Sequence, residues 1–256
     1  MRYLAHDLGD HDSAEIYPLF DIHIPNFDEA LFTAHRDHIL AAPNRFAIIG
    51  GDIGNYATPG SVSDSWEDDL TPQQQFEKAC ALLGPLFAAK RILMLIRGNH
   101  DFRINRATGG IDLCWMLCDK FGQGEVYLKD GGTLKLSLGK GDNGKRVTYL
   151  AYGCHGHGGG RRVGSKANAA EDLQRLTVAD IYIVGHTHQS AAFPRALFLP
   201  DPQNGKVRLI KQLFVMAGAY QEWGGYTERK NYPPMWLGCP TIALDGRKKD
   251  AKAVIG

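Results

Sequence analysis

Residues 91–101 read RILMLIRGNHD. The run 91–96 is almost continuously apolar, as expected of a short strand buried on both faces. It is followed at once by glycine, amide, imidazole and carboxylate. A buried strand ending in side chains that can bind a ligand is the habit of open α/β sheets, whose sites lie beyond the carboxyl ends of the strands. Working outward, 15–20 and 45–49 are β-rich runs, and 28–42 and 71–88 carry helical patterns. Thr71 is placed to cap the second of these, with Pro72 at its first position. The order is thus β-α-β-α-β. Beyond it, a helix is expected around 111–121. Strands at 133–138 and 146–152 flank a Gly-Asp-Asn-Gly turn and should form a hairpin. A helix from about 165 to 176 precedes an apolar strand at 181–184, and the remainder reads as mostly short strands, including 207–217 and 241–244. This mixture predicts an α/β fold with two packed sheets rather than one parallel sheet, within a single domain spanning 1–256.

Composition agrees with a globular chain of enzyme size: 256 residues, 44% hydrophobic and 22% charged, enough to bury a sizeable core. With 29 Lys and Arg against 28 Asp and Glu, the formal charge is +1, so no global positive field points to a long polyanion as partner. Five scattered cysteines (Cys80, Cys114, Cys118, Cys154, Cys239) form no disulfide framework or zinc knuckle and suit a reducing compartment. The amino-terminal segment lacks the basic-then-apolar order of a signal peptide, and no apolar run approaches a membrane span of about 18 residues. A cytoplasmic location without membrane partners is expected.

The metal-capable side chains fall at strand ends. Asp21 and His23 close the first strand, Asp52 the second, and Asn99 and His100 the third. His155 follows 146–152, and His186 and His188 follow 181–184. Glycines adjoin most of these positions and permit close backbone approach. Carboxylate, amide oxygen and imidazole make a borderline-hard set that suits manganese, iron, zinc or nickel. The ligand count accommodates two ions.

The blocks DIH (21–23), GGD (50–52), GNHD (98–101), CHGHGG (154–159) and GHTH (185–188) together resemble the calcineurin-like metallophosphoesterase superfamily. In general appearance the chain is most similar to phage and prophage members loosely related to SbcD-type nuclease subunits. The resemblance implies a four-layer αββα sandwich with two mixed β-sheets. It also implies two divalent cations, manganese first, with iron, zinc or nickel as alternatives. One would be held by Asp21, His23 and His188 and the other by Asn99, His155 and His186, with Asp52 between them. His155 is preferred over His157 as the ligand, leaving His157 for substrate contact. Two cations about 3.5–4 Å apart lower the pKa of a bridging water to give hydroxide and clamp the phosphoryl oxygens. His100 is the motif histidine with no metal assigned to it and is placed to protonate the leaving alkoxide, with Asp101 orienting it. Arg103, Arg161 and Arg162 follow two of the blocks, and Arg103 and Arg161 are the candidates for gripping phosphate oxygens.

Other features have plainer readings. His6, His11, His35 and His38 are surface or hydrogen-bonded histidines, Cys114 and Cys118 pack in a core, and Cys154 is a buried packing residue. Residues 139–146, GKGDNGKR, nearly match a phosphate-binding P-loop, but Arg146 stands where a hydroxyl must be and strands flank both sides. The acidic segment 54–70, with Asp64, Glu67, Asp68 and Asp69, reads as a solvated loop, and 247–252 as a frayed basic tail. The expected activity is metal-dependent phosphodiester hydrolysis, acting on nucleotides or short nucleic acids. Tyr220, Trp223, Tyr226, Tyr232 and Trp236 are candidates to stack on bases. The alternatives are a monoesterase or protein phosphatase, or a non-catalytic scaffold like the retromer subunit of this fold. Oligomeric state is left open.

Overall fold

The computed structural model describes residues 2–256 apart from 60, 62–67, 143, 159, 161 and 230. In chain order the strands are β1 (Arg2–Asp7), β2 (Ser13–Leu19), β3 (Arg45–Ile49), β4 (Ile92–Leu95), β5 (Gly132–Leu138), β6 (Val147–Cys154), β7 (Ile181–Val184), β8 (Ser190–Asp201), β9 (Lys206–Ala217), β10 (Thr241–Asp245) and β11 (Ala251–Val254). The helices are α1 (Glu29–Leu40), α2 (Pro72–Ala88), α3 (Asp101–Thr108), α4 (Leu113–Lys120), α5 (Val163–Glu171) and α6 (Tyr226–Arg229). One sheet runs β1-β5-β6-β7-β9-β8 and the other β11-β10-β2-β3-β4.

Side-chain alternation explains why the sheets stack. In β3, Phe46 and Ile48 face one side while Ala47 and Ile49 face the other, and all four are buried. Ile181 and Ile183 of β7 face the opposing sheet, and Tyr182 and Val184 face away from it. A strand with two apolar faces needs a layer on each side. Three buried clusters supply them. The first fills the space between the sheets, the second joins β2–β4 to α1, α2 and α4, and the third joins β6, β7 and β9 to α5. The result is the expected four-layer αββα arrangement with two mixed sheets. In β4 the register slips by one residue, Ala47 pairing with Ile92 and Ile48 with Met94. Leu93 and Met94 therefore both face the intersheet core.

Local signals set the helix starts. Asp28 caps α1 by accepting from the Leu31 amide at 2.8 Å, and Thr71 and Gln74 form a reciprocal capping box at α2. Each such cap contributes about 1 kcal/mol.

Several expectations need correction. The amino-terminal segment is a strand, β1, parallel to β5. The basic tail is ordered: β11 pairs antiparallel with β10, Lys249 Nζ lies 2.8 Å from Asp180, and Arg247 pairs with Asp12. After His188 the strand expected at 207–217 is present as β9, and it is paired with a second 12-residue strand, β8, that the sequence reading lacks. Only Leu213–Met216 of β9 pairs with β7, so the other end of this hairpin continues past the sheet as a two-stranded ribbon. Phe198, Val207 and Leu209 there are 70%, 63% and 64% exposed. The segment 139–146, of which residue 143 lies outside the described residues, connects antiparallel β5 and β6. No helix among the described residues is long and apolar enough to cross a membrane.

Candidate metal centre

Within one sheet β2, β3 and β4 are parallel, and within the other β6, β7 and β9 are parallel. Their carboxyl ends meet at one edge of the sandwich, where the chain must turn sharply to present side chains inward. Asp21, His23, Asp52, His186 and His188 all adopt positive φ, between 49° and 65°. A non-glycine residue held there costs on the order of 1–3 kcal/mol, and such strain concentrates at functional sites. The loops are tied across one another. The Asp21 amide donates to the Gly51 carbonyl at 3.1 Å, the His23 amide to the Asp52 carbonyl at 2.9 Å, and the His186 amide to Asp21 Oδ2 at 2.8 Å.

The side chains converge in three overlapping groups, Asp21–His23–His188, His23–Asp52–His100 and Asp52–His155–His186. On one side, Asp21 Oδ1 lies 3.9 Å from His23 Nε2 and 3.6 Å from His188 Nε2, and the two imidazole nitrogens are 3.1 Å apart. On the other, His155 Nε2 lies 3.1 Å from Asn99 Oδ1 and 3.3 Å from both His186 Nδ1 and Asp52 Oδ2. Asp52 Oδ2 is also 3.9 Å from His23 Nε2. Asp21 is fully buried, and its Oδ1 has no hydrogen-bond partner. An orphaned carboxylate oxygen among imidazole nitrogens would cost several kcal/mol without compensation. That oxygen and the N/O donor set around it fit divalent cations. The other nitrogen of each buried imidazole is already committed: His155 Nδ1 donates to the Gly50 carbonyl at 2.8 Å, and His23 Nδ1 to Asn55 Oδ1 at 2.9 Å. These contacts turn each Nε2 toward the cluster.

The crowding shifts every group. Burial pushes Asp21 up to about 8. Burial would raise Asp52 as well, but the charges of His155 and His100 hold it well below the carboxylate range. Burial alone would lower His155, and Asp52 overrides this and lifts it to about 10. His188 is pushed down to about 3, chiefly by burial.

His100 stands at the rim. Its amide donates to Asp52 Oδ1 at 2.7 Å, its Nδ1 donates to the Asn55 carbonyl at 3.2 Å, and its Nε2 lies 3.1 Å from the Arg103 guanidinium. Arg103 also donates to the Asn55 carbonyl at 2.9 Å. Asp101 has a different task from the one expected of it. Its carboxylate accepts from the amides of Asp52 and Gly98, both at 2.8 Å, and of Ile53 at 3.1 Å. With both oxygens occupied by backbone, it braces the β3 and β4 loops against each other, and His100 is oriented by the Asn55 carbonyl instead. His157 is exposed, outside the cluster that His155 enters. Arg161 lies outside the described residues, as do Asp64, Glu67 and the side chain of Tyr226. Tyr220 is fully buried, with its hydroxyl 2.7 Å from His35 Nδ1, so it is not available for stacking on a base.

Sequence reasoning missed Asn55, Gln75 and the role of Asp68. Asp68 is not simply solvated: it accepts from Asn55 Nδ2 at 2.9 Å and from buried Gln75 at 3.0 Å. The available signal was Asn55 itself, a polar residue three positions after Asp52 on the same turn.

Gly98 makes the loop contact possible. A Cβ there would overlap Asp52 Oδ1 and the Asp52 backbone nitrogen. Gly98→Ala is expected to cost about 1–3 kcal/mol in urea unfolding and to impair divalent-metal uptake. Wild-type stability together with wild-type metal content would show that these loops do not touch in this way.

Two facing sheets thus deliver buried carboxylates and imidazoles to a common edge, the arrangement of a metal-binding protein. The calcineurin-like phosphoesterase family matches residues 21–190, from Asp21 to just past His188, and the chain belongs to that family. It is a metal-dependent phosphoric ester hydrolase. Similar solved structures include Vacuolar Protein Sorting 29 from Cryptosporidium parvum (14% identity, 96% of this chain and 98% of that one, TM-score 0.47). A predicted phosphoesterase from Streptococcus pneumoniae TIGR4 gives 14% identity over 94% of this chain and 89% of that one, with a TM-score of 0.41. The calcineurin-like phosphoesterase YfkN from Bacillus subtilis gives 13% identity, 94% and 88% coverage, and a TM-score of 0.39. A search of curated proteins gives no match.

Proposed function

We propose that the chain is a dinuclear phosphodiesterase acting on nucleotides or short nucleic acids. Asp21, His23 and His188 would hold one divalent cation and Asn99, His155 and His186 the other, with Asp52 shared and manganese the first candidate. Such cations supply Lewis acidity toward the phosphoryl group and make a nearby water acidic. The chain's own residues do the rest. The observation that carries the diester reading is the pair His100–Arg103 at the rim of the cluster. A phosphodiester has one negative charge, which one guanidinium can meet, and its leaving alkoxide requires a proton. The Asn55 carbonyl can only accept, so His100 carries its resting proton on Nδ1 and presents Nε2 to Arg103. In this reading Nε2 takes up a proton from solvent once Arg103 turns to the phosphate, and passes it to the leaving oxygen. The net charge of +1 disfavours long duplexes. Trp223, Tyr232 and Trp236 remain exposed and suited to stacking.

The test is hydrolysis of bis-p-nitrophenyl phosphate and of p-nitrophenyl phosphate by metal-stripped protein restored with manganese. Diester turnover exceeding monoester turnover is the expected result. Bound metal with no turnover of either ester would turn the reading toward a scaffold, and preferential monoester cleavage toward a phosphatase.

A further inference from the structure

A relay of amides runs from α2 to the metal cluster, and each link has only one possible polarity. Gln75 is fully buried. Its Oε1 accepts from the Tyr56 amide at 2.8 Å, and its Nε2 donates to the Leu70 carbonyl at 2.9 Å. Those backbone groups cannot exchange donor and acceptor roles, so the side-chain amide cannot flip. Nε2 also donates to Asp68 Oδ2 at 3.0 Å. An ionised carboxylate only accepts, so Asp68 requires a donor at its other oxygen too, and Asn55 Nδ2 supplies it at 2.9 Å. This fixes the Asn55 amide, which is 94% buried (6% exposed), with Oδ1 toward His23. His23 must then donate from Nδ1, leaving Nε2 as the bare nitrogen directed at Asp21, Asp52 and His188.

We propose that Asp68 is a positioning residue that sets the tautomer of His23 through Asn55, keeping the nitrogen that faces the metal cluster unprotonated. Only the metal arm of the test rests on His23 being a ligand. The tautomer is a property of the metal-free protein.

Asp68→Asn tests the relay by inverting it. Gln75 Nε2 still demands an oxygen, so the new side chain turns its NH2 group toward Asn55. Asn55 must offer Oδ1 to that group and its own NH2 to His23. His23 Nδ1 becomes an acceptor and the ring proton moves to Nε2. Nitrogen-15 NMR of metal-free, histidine-labelled protein should show His23 changing from the Nδ1–H to the Nε2–H form. The double variant Asn55→Asp/Asp68→Asn exchanges the two groups and restores every donor–acceptor match, so it should return the Nδ1–H form. A merely structural role for Asp68 would not be repaired by this swap. Manganese affinity should fall roughly 10–100-fold in the single variant and recover in the double. Retention of Nδ1–H in D68N, or failure of the double variant to restore it, overturns the proposal. If D68N does not fold, Asp68→Ala is expected to populate both tautomers, and a pure Nδ1–H population there overturns it equally. If the tautomer switches as expected while wild-type protein neither binds metal nor cleaves esters, the function reading fails and the relay stands.

Discussion

Replacing His100 by Asn is expected to lower kcat for a phosphodiester by about 10²–10⁴-fold, the usual contribution of a positioned acid–base group, and to leave metal content unchanged. The two halves of this result come from different atoms. The His100 backbone amide bonds to Asp52 Oδ1 at 2.7 Å and survives the substitution, so the shared carboxylate stays in place. What disappears is Nε2, which lies 3.9 Å from Asp52 Oδ2 at the rim and is the nitrogen proposed to exchange a proton with a leaving oxygen. An ester with an acidic leaving group such as p-nitrophenol needs little protonation and should suffer less than an alkyl ester. Steady-state rates with both substrates and elemental analysis of the purified variant check the expectation. Metal loss, or an equal rate on the alkyl ester, would remove His100 from the role of proton donor.

Asp52→Ala acts on assembly instead. Oδ2 of Asp52 lies 3.9 Å from His23 Nε2 and 3.3 Å from His155 Nε2, the position proposed for a shared ligand, while Oδ1 accepts the His100 amide. Without the side chain, His155 loses the charge mainly responsible for holding it near 10, and both groups lose their shared oxygen. Metal content should fall and turnover should drop by at least about 10³-fold, equivalent to the several kcal/mol that Lewis-acid stabilisation supplies. Full metal content in this variant, measured by mass spectrometry of the desalted protein, would exclude Asp52 as the shared ligand. Together the two expected results would separate chemistry from assembly: one variant would keep the cluster and lose the proton donor, the other would lose the cluster.

The sequence conveyed much of this because the decisive signals were local. Strands 45–49 and 181–184 match β3 and β7 residue for residue, since short apolar runs bounded by polar turns leave little freedom. The convergence of Asp21, Asp52, His155 and His188 follows from strand ends in a parallel arrangement. Non-local features were not legible. β1 is a half-exposed edge strand, RYLAHD, whose partner lies 130 residues away. β11 looked like a charged tail because Arg247, Lys248 and Lys249 precede it, yet Arg247 and Lys249 find carboxylates supplied by other parts of the chain. Adjacency in sequence points Asp101 toward His100, whereas the helical start at α3 turns its carboxylate onto backbone amides. Asp68 was hidden for the same reason, its role being visible only once α2 is packed beside the turn that carries Asn55.

The ribbon formed by β8 and β9 bears on how copies of this protein behave when crowded. β8 is the last strand of its sheet, and such an edge ordinarily templates the addition of foreign strands, the first step toward aggregation. Pro194 and Pro200 lie within β8 while its ladder to β9 runs unbroken from Ser190 to Asp201. Six residues apart, their imino nitrogens fall on the same outward edge, where two hydrogen-bond donors are missing. A strand arriving at that edge finds gaps instead of a continuous row of N–H groups. Along the β8 edge these gaps oppose sheet growth beside the exposed Phe198, Val207 and Leu209.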